Sequence, residues 1–158
     1  MAAAASDNRL QRLSPEADAR ILIVEDDDDD VRLIRRLLRQ APISLEVQSV
    51  GDGSKALDYL ESIGCAEDPR MPDLILLDIN MPVMDGPRFL ALLRSHPEFR
   101  ALPVVALTTS SDVDTVRRAY DSGANAVINK VDSLDGMSQI VNTIVDFWFR
   151  IARRYYVE

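Results

Sequence analysis

The sequence lacks several features that would assign a chain to a particular class of protein. Its 158 residues include one cysteine, Cys65, so no disulfide can form within the chain. A single cysteine agrees with a reducing compartment, and we expect a cytoplasmic protein. No apolar run approaches the roughly 20 residues that span a membrane. The first residues also lack the basic start and apolar run of a secretory signal, so we expect no membrane partner.

Positive charge is scarce as well. Lysine and arginine total 18 against 26 aspartates and glutamates, which gives a formal net charge of −8. A chain this acidic repels a polyanion, so we expect no nucleic acid among its partners. What the chain has in quantity is apolar residues, at 47%, enough for the core of one globular domain.

Five short apolar runs recur along the chain, separated by segments with helical spacing. The runs are ILIV at 21–24, LEVQSV at 45–50, DLILLD at 73–78, LPVVALT at 102–108 and AVIN at 126–129. Runs this short, and apolar on both faces, are typical of strands buried in a parallel sheet. Their alternation with helices predicts an α/β fold, a doubly wound five-stranded parallel sheet.

Polar residues stand at, or directly after, the carboxyl ends of four of these runs. They are Glu25, Asp26, Asp78, Thr108 and Lys130. In the common strand order 2-1-3-4-5 the first and third strands are neighbours, so Asp26 and Asp78 face one another where the order reverses. Carboxylates this close stay ionised together only beside a cation, and oxygen ligands favour magnesium, manganese or calcium. Lys130 and Thr108 complete a receptor for a phosphoryl group, which Asp78 can attack.

The run of five aspartates from Asp26 to Asp30 has two interpretations. In the first, Asp27, Asp28 and Asp29 face water in a loop, and Asp30 takes the N-cap or first turn of a helix, where the dipole favours a carboxylate. In the second, alternate aspartates begin an EF-hand calcium loop. That loop needs glycine at its sixth position and glutamate at its twelfth, where this chain has valine and leucine. We therefore reject the calcium loop.

The stretches ILIVEDDDDD, LILLDINMPVMDG and PVVALTTSS, together with Lys130, resemble the receiver domain of two-component response regulators. The resemblance runs from Ala19 to Val145 and implies the flavodoxin-like strand order 2-1-3-4-5. It also implies that a histidine kinase phosphorylates Asp78 and that Lys130 pairs with the phosphate. Signalling proteins of this family are phosphorylation switches, and they are not enzymes in the ordinary sense.

The same resemblance assigns a role to each remaining residue of the set. Asp26 matches a direct Mg²⁺ ligand, as does Asp78, and Asn80 matches the position whose backbone carbonyl binds the ion. Glu25 acts on the metal indirectly, and Thr108 matches the switch hydroxyl.

Three shorter stretches, VEDDDDDVRLI, LTTSS and DFW, are similar to a narrower group. These are stand-alone receivers that serve phytochrome-type histidine kinases. The similarity implies a response regulator that relays its signal by protein–protein contact, with a phytochrome as candidate kinase. The residues after the expected end of the receiver are too few for an output domain, so we expect the regulated target to be another protein or the kinase itself.

Two positions depart from the family pattern. Val127 stands where receivers usually carry an aromatic that rotates on activation, and Val131 stands where a proline usually follows the lysine. Two alternatives stay open. One is a degenerate receiver that serves as a binding scaffold. The other is an aspartyl-phosphate phosphotransferase, although the second aspartate that such enzymes place two residues after the nucleophile is here Asn80.

We expect three segments: a polar lead at 1–18, the receiver domain at 19–146 and a helical extension at 147–158. Apolar residues of the final helix recur at alternating intervals of three and four, the spacing of a face that packs onto another surface. This helix is longer than one side of the sheet requires, so its end should project from the core; the alternative is that the end folds back on its own domain. We expect it to form a two-fold homodimer together with the fourth and fifth helices. The expected interface residues are Phe147, Trp148, Phe149, Ile151, Tyr155 and Tyr156.

Overall fold

The computed structural model describes residues 18–66 and 70–153 and places five strands in one parallel sheet. The strands are β1 (Ala19–Val24), β2 (Leu45–Val50), β3 (Leu74–Asp78), β4 (Val104–Thr108) and β5 (Ala126–Asn129). Their order is β2-β1-β3-β4-β5, so the predicted fold class and strand order are confirmed. Most of the predicted lead (1–17) and the end of the predicted extension (154–158, with Tyr155 and Tyr156) lie outside the described residues.

Five α-helices alternate with the strands. They are α1 (Asp28–Arg39), α2 (Gly53–Gly64), α3 (Gly86–Ser95), α4 (Val113–Asp121) and α5 (Leu134–Val145). An aspartate or serine precedes each helix as its N-cap, and the side chain of that residue accepts a hydrogen bond from a backbone N–H of the first turn. A π-helix, Asp146–Ile151, continues α5 without a break. Within 18–66 and 70–153, no helix is long and apolar enough to cross a membrane.

The helices cover both faces of the sheet and create two apolar cores. On β1, Leu22 and Val24 point to the face covered by α2, α3 and α4, whereas Ile21 and Ile23 point to the face covered by α1 and α5. The central strands β3 and β4 are buried along their whole length, while the edge strands β2 and β5 are partly exposed. Burial on both faces explains why the central strands read as continuous apolar runs.

The π-helix keeps part of the C-terminal aromatic cluster on the protein's own core. Trp148 and Phe149 are half-buried against the α1/α5 core, so they do not project from it as their spacing suggested. They stay on that side because the helical path of α5 continues past Val145. Phe147 and Ile151 point the other way and are 48% and 68% exposed.

Arg94, in the last turn of α3, joins two loops on the edge of the sheet opposite the strand carboxyl ends. Its guanidinium donates to the carbonyl oxygens of Gly123 at 2.9 Å, Arg100 at 2.9 Å and Leu102 at 2.7 Å, and to Asn125 Oδ1 at 2.9 Å. The same Asn125 oxygen accepts the backbone N–H of β4 residue 104 at 2.8 Å. One side chain therefore fixes the approaches to both β4 and β5.

Replacing Arg94 with methionine should lower the free energy of unfolding by about 2 to 3 kcal/mol, because several carbonyl oxygens lose a charged donor. Urea denaturation followed by circular dichroism measures the change. Arg88→Met is the matched control, since Arg88 lies exposed on the same helix. Equal losses in the two variants would show that the network contributes little.

Candidate functional site

The predicted site residues meet at the edge of the sheet where the parallel strands end. Glu25 follows β1, Asp78 ends β3, Thr108 ends β4 and Lys130 follows β5. Two backbone hydrogen bonds hold the residues beyond the strands in register. The N–H of Glu25 donates to the carbonyl of Val50 at 3.0 Å, and that of Lys130 donates to the carbonyl of Thr108 at 2.8 Å. The side chains are thus carried by rigid backbone.

Three carboxylates form the acidic part of the site. Oxygen atoms of Glu25, Asp26 and Asp78 all lie within 4.8 Å of one another. Glu25 is 5% exposed and Asp78 is 9% exposed, whereas Asp26 faces solvent. Hard oxygen ligands in this number, with one side open, suit Mg²⁺ or Mn²⁺ and leave room for water or a phosphoryl oxygen. The donor set therefore fits the metal that the resemblance implied.

Lys130 supplies the positive charge of the site. Its Nζ lies 2.8 Å from Glu25 Oε2, 2.9 Å from Asp30 Oδ2 and 3.9 Å from Asp78 Oδ1. The lysine side chain is only 11% exposed. The ammonium is therefore held between two carboxylates within reach of the third.

Asp30 is the residue that sequence reasoning missed, because we expected it only to favour the start of a helix. The N-cap is Asp27, whose carboxylate accepts the amides of Asp29 at 2.9 Å and Asp30 at 3.3 Å. The expectation that Asp28 and Asp29 lie in a loop is wrong, since this cap places them in the first turn of α1, although both are exposed. Asp30 stands one turn before the buried Ile34, a spacing that puts both on the inner face.

Burial changes the proton affinities of the charged groups. It raises the pKa of Glu25 to about 7, with the charge of Asp78 adding to the shift and Lys130 opposing it. Burial also raises the pKa of Asp78, while Lys130 and the hydrogen bonds to Asp78 oppose the change. Burial works against a charged Lys130, but its bonds to Glu25 and Asp30 and the charge of Asp78 outweigh that cost and raise its pKa. The pocket has more negative charge than one ammonium can balance.

Asn80 lies in the loop that follows β3. Its N–H donates to Asp78 Oδ1 at 3.3 Å, and its side chain is exposed. The loop turns back so tightly that a Cβ on Gly86 would stand 2.8 Å from Ile79 Cα, which requires glycine there. Val83, with φ of 66°, adopts a left-handed conformation that is strained for a β-branched residue.

Thr108 is fully buried, and its hydroxyl oxygen accepts the N–H of Ser110 at 3.0 Å. The hydroxyl therefore shapes the loop after β4. Nearby, the N–H of Val127 donates to the hydroxyl of Tyr120 at 3.2 Å, a bond that ties the end of α4 to the edge strand β5. The predicted roles of Thr108 as a switch and of the Asn80 carbonyl as a ligand stay predictions.

Comparison with known proteins identifies relatives with this architecture. Residues 21–142 match the sequence profile of the response regulator receiver domain. The response regulator Rcp1 of Synechocystis sp. is 37% identical over 128 residues, which are 81% of this chain and 87% of that protein. The phosphorylated cyanobacterial phytochrome response regulator RcpA aligns with a TM-score of 0.79 at 38% identity, over 87% of this chain and 99% of the other. The Mn²⁺-bound form of Rcp1 aligns with a TM-score of 0.78 at 34% identity, over the same shares.

The raised pKa of Glu25 has a measurable consequence for stability in the presence of a chelator. An acid whose pKa rises from 4.5 to about 7 on folding holds a proton more tightly in the folded state. The wild type should therefore lose stability relative to Glu25→Gln as pH rises from 5 to 8, by about 1 kcal/mol after allowance for solvent screening. Urea denaturation at both pH values tests this. A difference between the two proteins that stays constant with pH would contradict the shift.

Proposed function

The chain belongs to the response regulator receiver domain family, a family of signalling proteins, and from that membership we propose that a histidine kinase phosphorylates it on Asp78. The observation that carries the proposal is the place of Asp78 at the end of a buried strand. Its carboxylate stands among the carboxylates of Glu25 and Asp26, with the ammonium of Lys130 at 3.9 Å. Such a charge is costly to bury unless the site uses it.

The chemistry follows from this arrangement. An Asp78 oxygen attacks the phosphorus of a phosphohistidine, a P–O bond forms, and the P–N bond breaks with its electron pair passing to the imidazole. Lys130 neutralises charge on the phosphoryl oxygens. Asp26, Asp78 and the Asn80 backbone carbonyl would hold Mg²⁺ directly and Glu25 indirectly, and the bound ion supplies further charge neutralisation.

Asn80 argues against the aspartyl-phosphate phosphotransferase. A side-chain amide cannot exchange a proton as the second aspartate of such enzymes does, so the phosphorylated form has no built-in general acid or base there.

The binding scaffold is the alternative that an experiment must separate from phosphorylation. A scaffold would keep the fold and accept no phosphoryl group.

We also propose that the partner kinase is of the phytochrome type. The support is the similarity to RcpA, which is described as a phytochrome response regulator, and to Rcp1. Both alignments cover more than four-fifths of this chain, so the likeness extends well beyond the residues of the site. A phosphorylated phytochrome-type kinase should then transfer its phosphoryl group faster than an unrelated histidine kinase does.

Asp78→Asn should abolish acid-labile label from either kinase, because the amide cannot act as the nucleophile. The label should require Mg²⁺ and disappear with a chelator. Asp29→Asn is the matched control, since it removes one exposed carboxylate from the neighbouring helix and should retain most of the label. Mass spectrometry locates the phosphate. Phosphate on Asp85 or in the aspartate run would exclude Asp78 as acceptor, and an unlabelled wild type would favour the scaffold.

A further proposal concerns a homodimer formed through α4, α5 and the π-helix. Five apolar side chains on these elements are strongly exposed: Val113, Tyr120, Leu134, Phe147 and Ile151. On α5, Ile140 and Thr143 line an apolar groove of about 430 Å³ beside Ile128 and Val131. Phe147 follows Thr143 by one helical turn, and Ile151 follows Phe147 by another, which makes one continuous face. A second copy related by a two-fold axis would bury this face on both chains.

Exchanging Phe147 and Ile151 together for serine should give a folded monomer, because both side chains are exposed within one chain. Light scattering at micromolar concentration, with and without beryllofluoride, measures the mass. Trp148→Ala is the contrasting variant: it should lower the unfolding midpoint, since Trp148 packs on its own core. A wild type that is monomeric under both conditions would end the dimer proposal.

A further inference from the structure

A lysine ammonium group has three N–H donors, and the surroundings of Lys130 decide where each one points. Glu25 Oε2 at 2.8 Å and Asp30 Oδ2 at 2.9 Å accept two of them. Asp78 Oδ1, at 3.9 Å, is beyond hydrogen-bond distance. The third donor is therefore available on the side of Asp78, where a phosphoryl group would add its own oxygens.

The two carboxylates that hold Lys130 differ in what else they do. Glu25 belongs to the group of three acids within 4.8 Å and is nearly fully buried. Asp30 lies outside that group, and its side chain is 40% exposed. Glu25 is thus shared between Lys130 and the metal site, whereas Asp30 can stay with the lysine.

Rigid backbone fixes both ends of the Lys130–Asp30 pair. Asp30 belongs to the first turn of α1, where its N–H donates to the capping carboxylate of Asp27 at 3.3 Å. One turn later, Ile34 is only 2% exposed and anchors the helix on the sheet. The backbone of Lys130 is bound to the carbonyl of Thr108 at 2.8 Å. The pair thus joins α1 to the end of β5 across the site.

We propose that Asp30 is a positioning residue for Lys130, holding its ammonium so that one donor faces the phosphoryl group on Asp78. The proposal rests on the proposed phosphorylation of Asp78. Without the Asp30 carboxylate, Glu25 is the one acceptor left at hydrogen-bond distance within 18–66 and 70–153, and the ammonium turns toward it and away from Asp78. Part of the charge neutralisation in the transition state is then lost.

The test is the rate at which acetyl phosphate labels Asp78 at fixed Mg²⁺, because a small donor removes any effect of kinase docking. Asp30→Asn should lower this rate ~10-fold, the loss expected when a charged group is displaced in a preorganised site. Asp30→Glu should recover part of it. Asp29→Asn is the matched control: it changes the same charge in the same helical turn, but its partner is Arg32, so the rate should stay within ~2-fold of wild type.

A double-mutant cycle separates positioning from a general effect on α1. In a Lys130→Met background, Asp30→Asn should have no further effect on the labelling rate, because the group that it positions is gone. A structural role in the helix would lower the rate equally in both backgrounds. Circular dichroism and the urea midpoint check that each variant is folded.

The outcomes distinguish the positioning role of Asp30 from the proposed phosphorylation of Asp78, on which it rests. A labelled wild type with Asp30→Asn equal to Asp29→Asn would overturn the positioning role and leave phosphorylation of Asp78 intact. Additive losses in the double-mutant cycle would likewise overturn the positioning role and leave phosphorylation of Asp78 intact. A wild type that carries no label on Asp78 would overturn both proposals, since no phosphoryl group would be there for Lys130 to meet.

Discussion

The ammonium of Lys130, set among the carboxylates of Glu25, Asp30 and Asp78, is the interaction on which the site depends. One positive charge stands against three nearby acids, with Asp26 beside them. Burial, with the charge of the neighbouring acids adding to it, raises the pKa of Glu25 and of Asp78. The same excess of negative charge suits the pocket to a divalent cation. The excess of negative charge thus both lowers the stability of the pocket and favours a cation as its ligand.

The parallel sheet is what allows such a costly pocket to exist. Its central strands are buried on both faces, and two apolar cores hold them in place far beyond the site itself. Strand ends that are fixed in this way can hold like charges close together, because separating the carboxylates would disrupt the packing of β1 and β3. The strained backbone at Val83 lies in the same region. The packing of the two cores therefore offsets the repulsion and the backbone strain at the site and keeps the site preorganised.

Much of this arrangement could be predicted from the sequence, because it depends on periodic patterns. The apolar runs correspond to the five strands, and the rule that ligands gather where strand order reverses brings Asp26 and Asp78 together. The contact of Asp30 with Lys130 could not be predicted in the same way. It depends on which aspartate of the run caps α1, and a shift of one residue would turn Asp30 by about 100° around the helix axis. The packing of Trp148 depends likewise on a π-helix, for which the sequence carries no regular period.

Position 127 is connected to the site by hydrogen bonds that run through α4. Val127 is small and stiff at χ1, so it cannot move as a large aromatic ring does. Its N–H is bound instead to the hydroxyl of Tyr120, at the far end of α4. The near end of α4 is joined to the site, because Thr108 Oγ1 accepts the N–H of Ser110 and Ser110 Oγ accepts the N–H of the capping residue Asp112. Hydrogen bonds therefore run from the end of β4 through one helix to the edge of β5. The hydrogen-bonded connection between the two strands is thus a whole helix, α4.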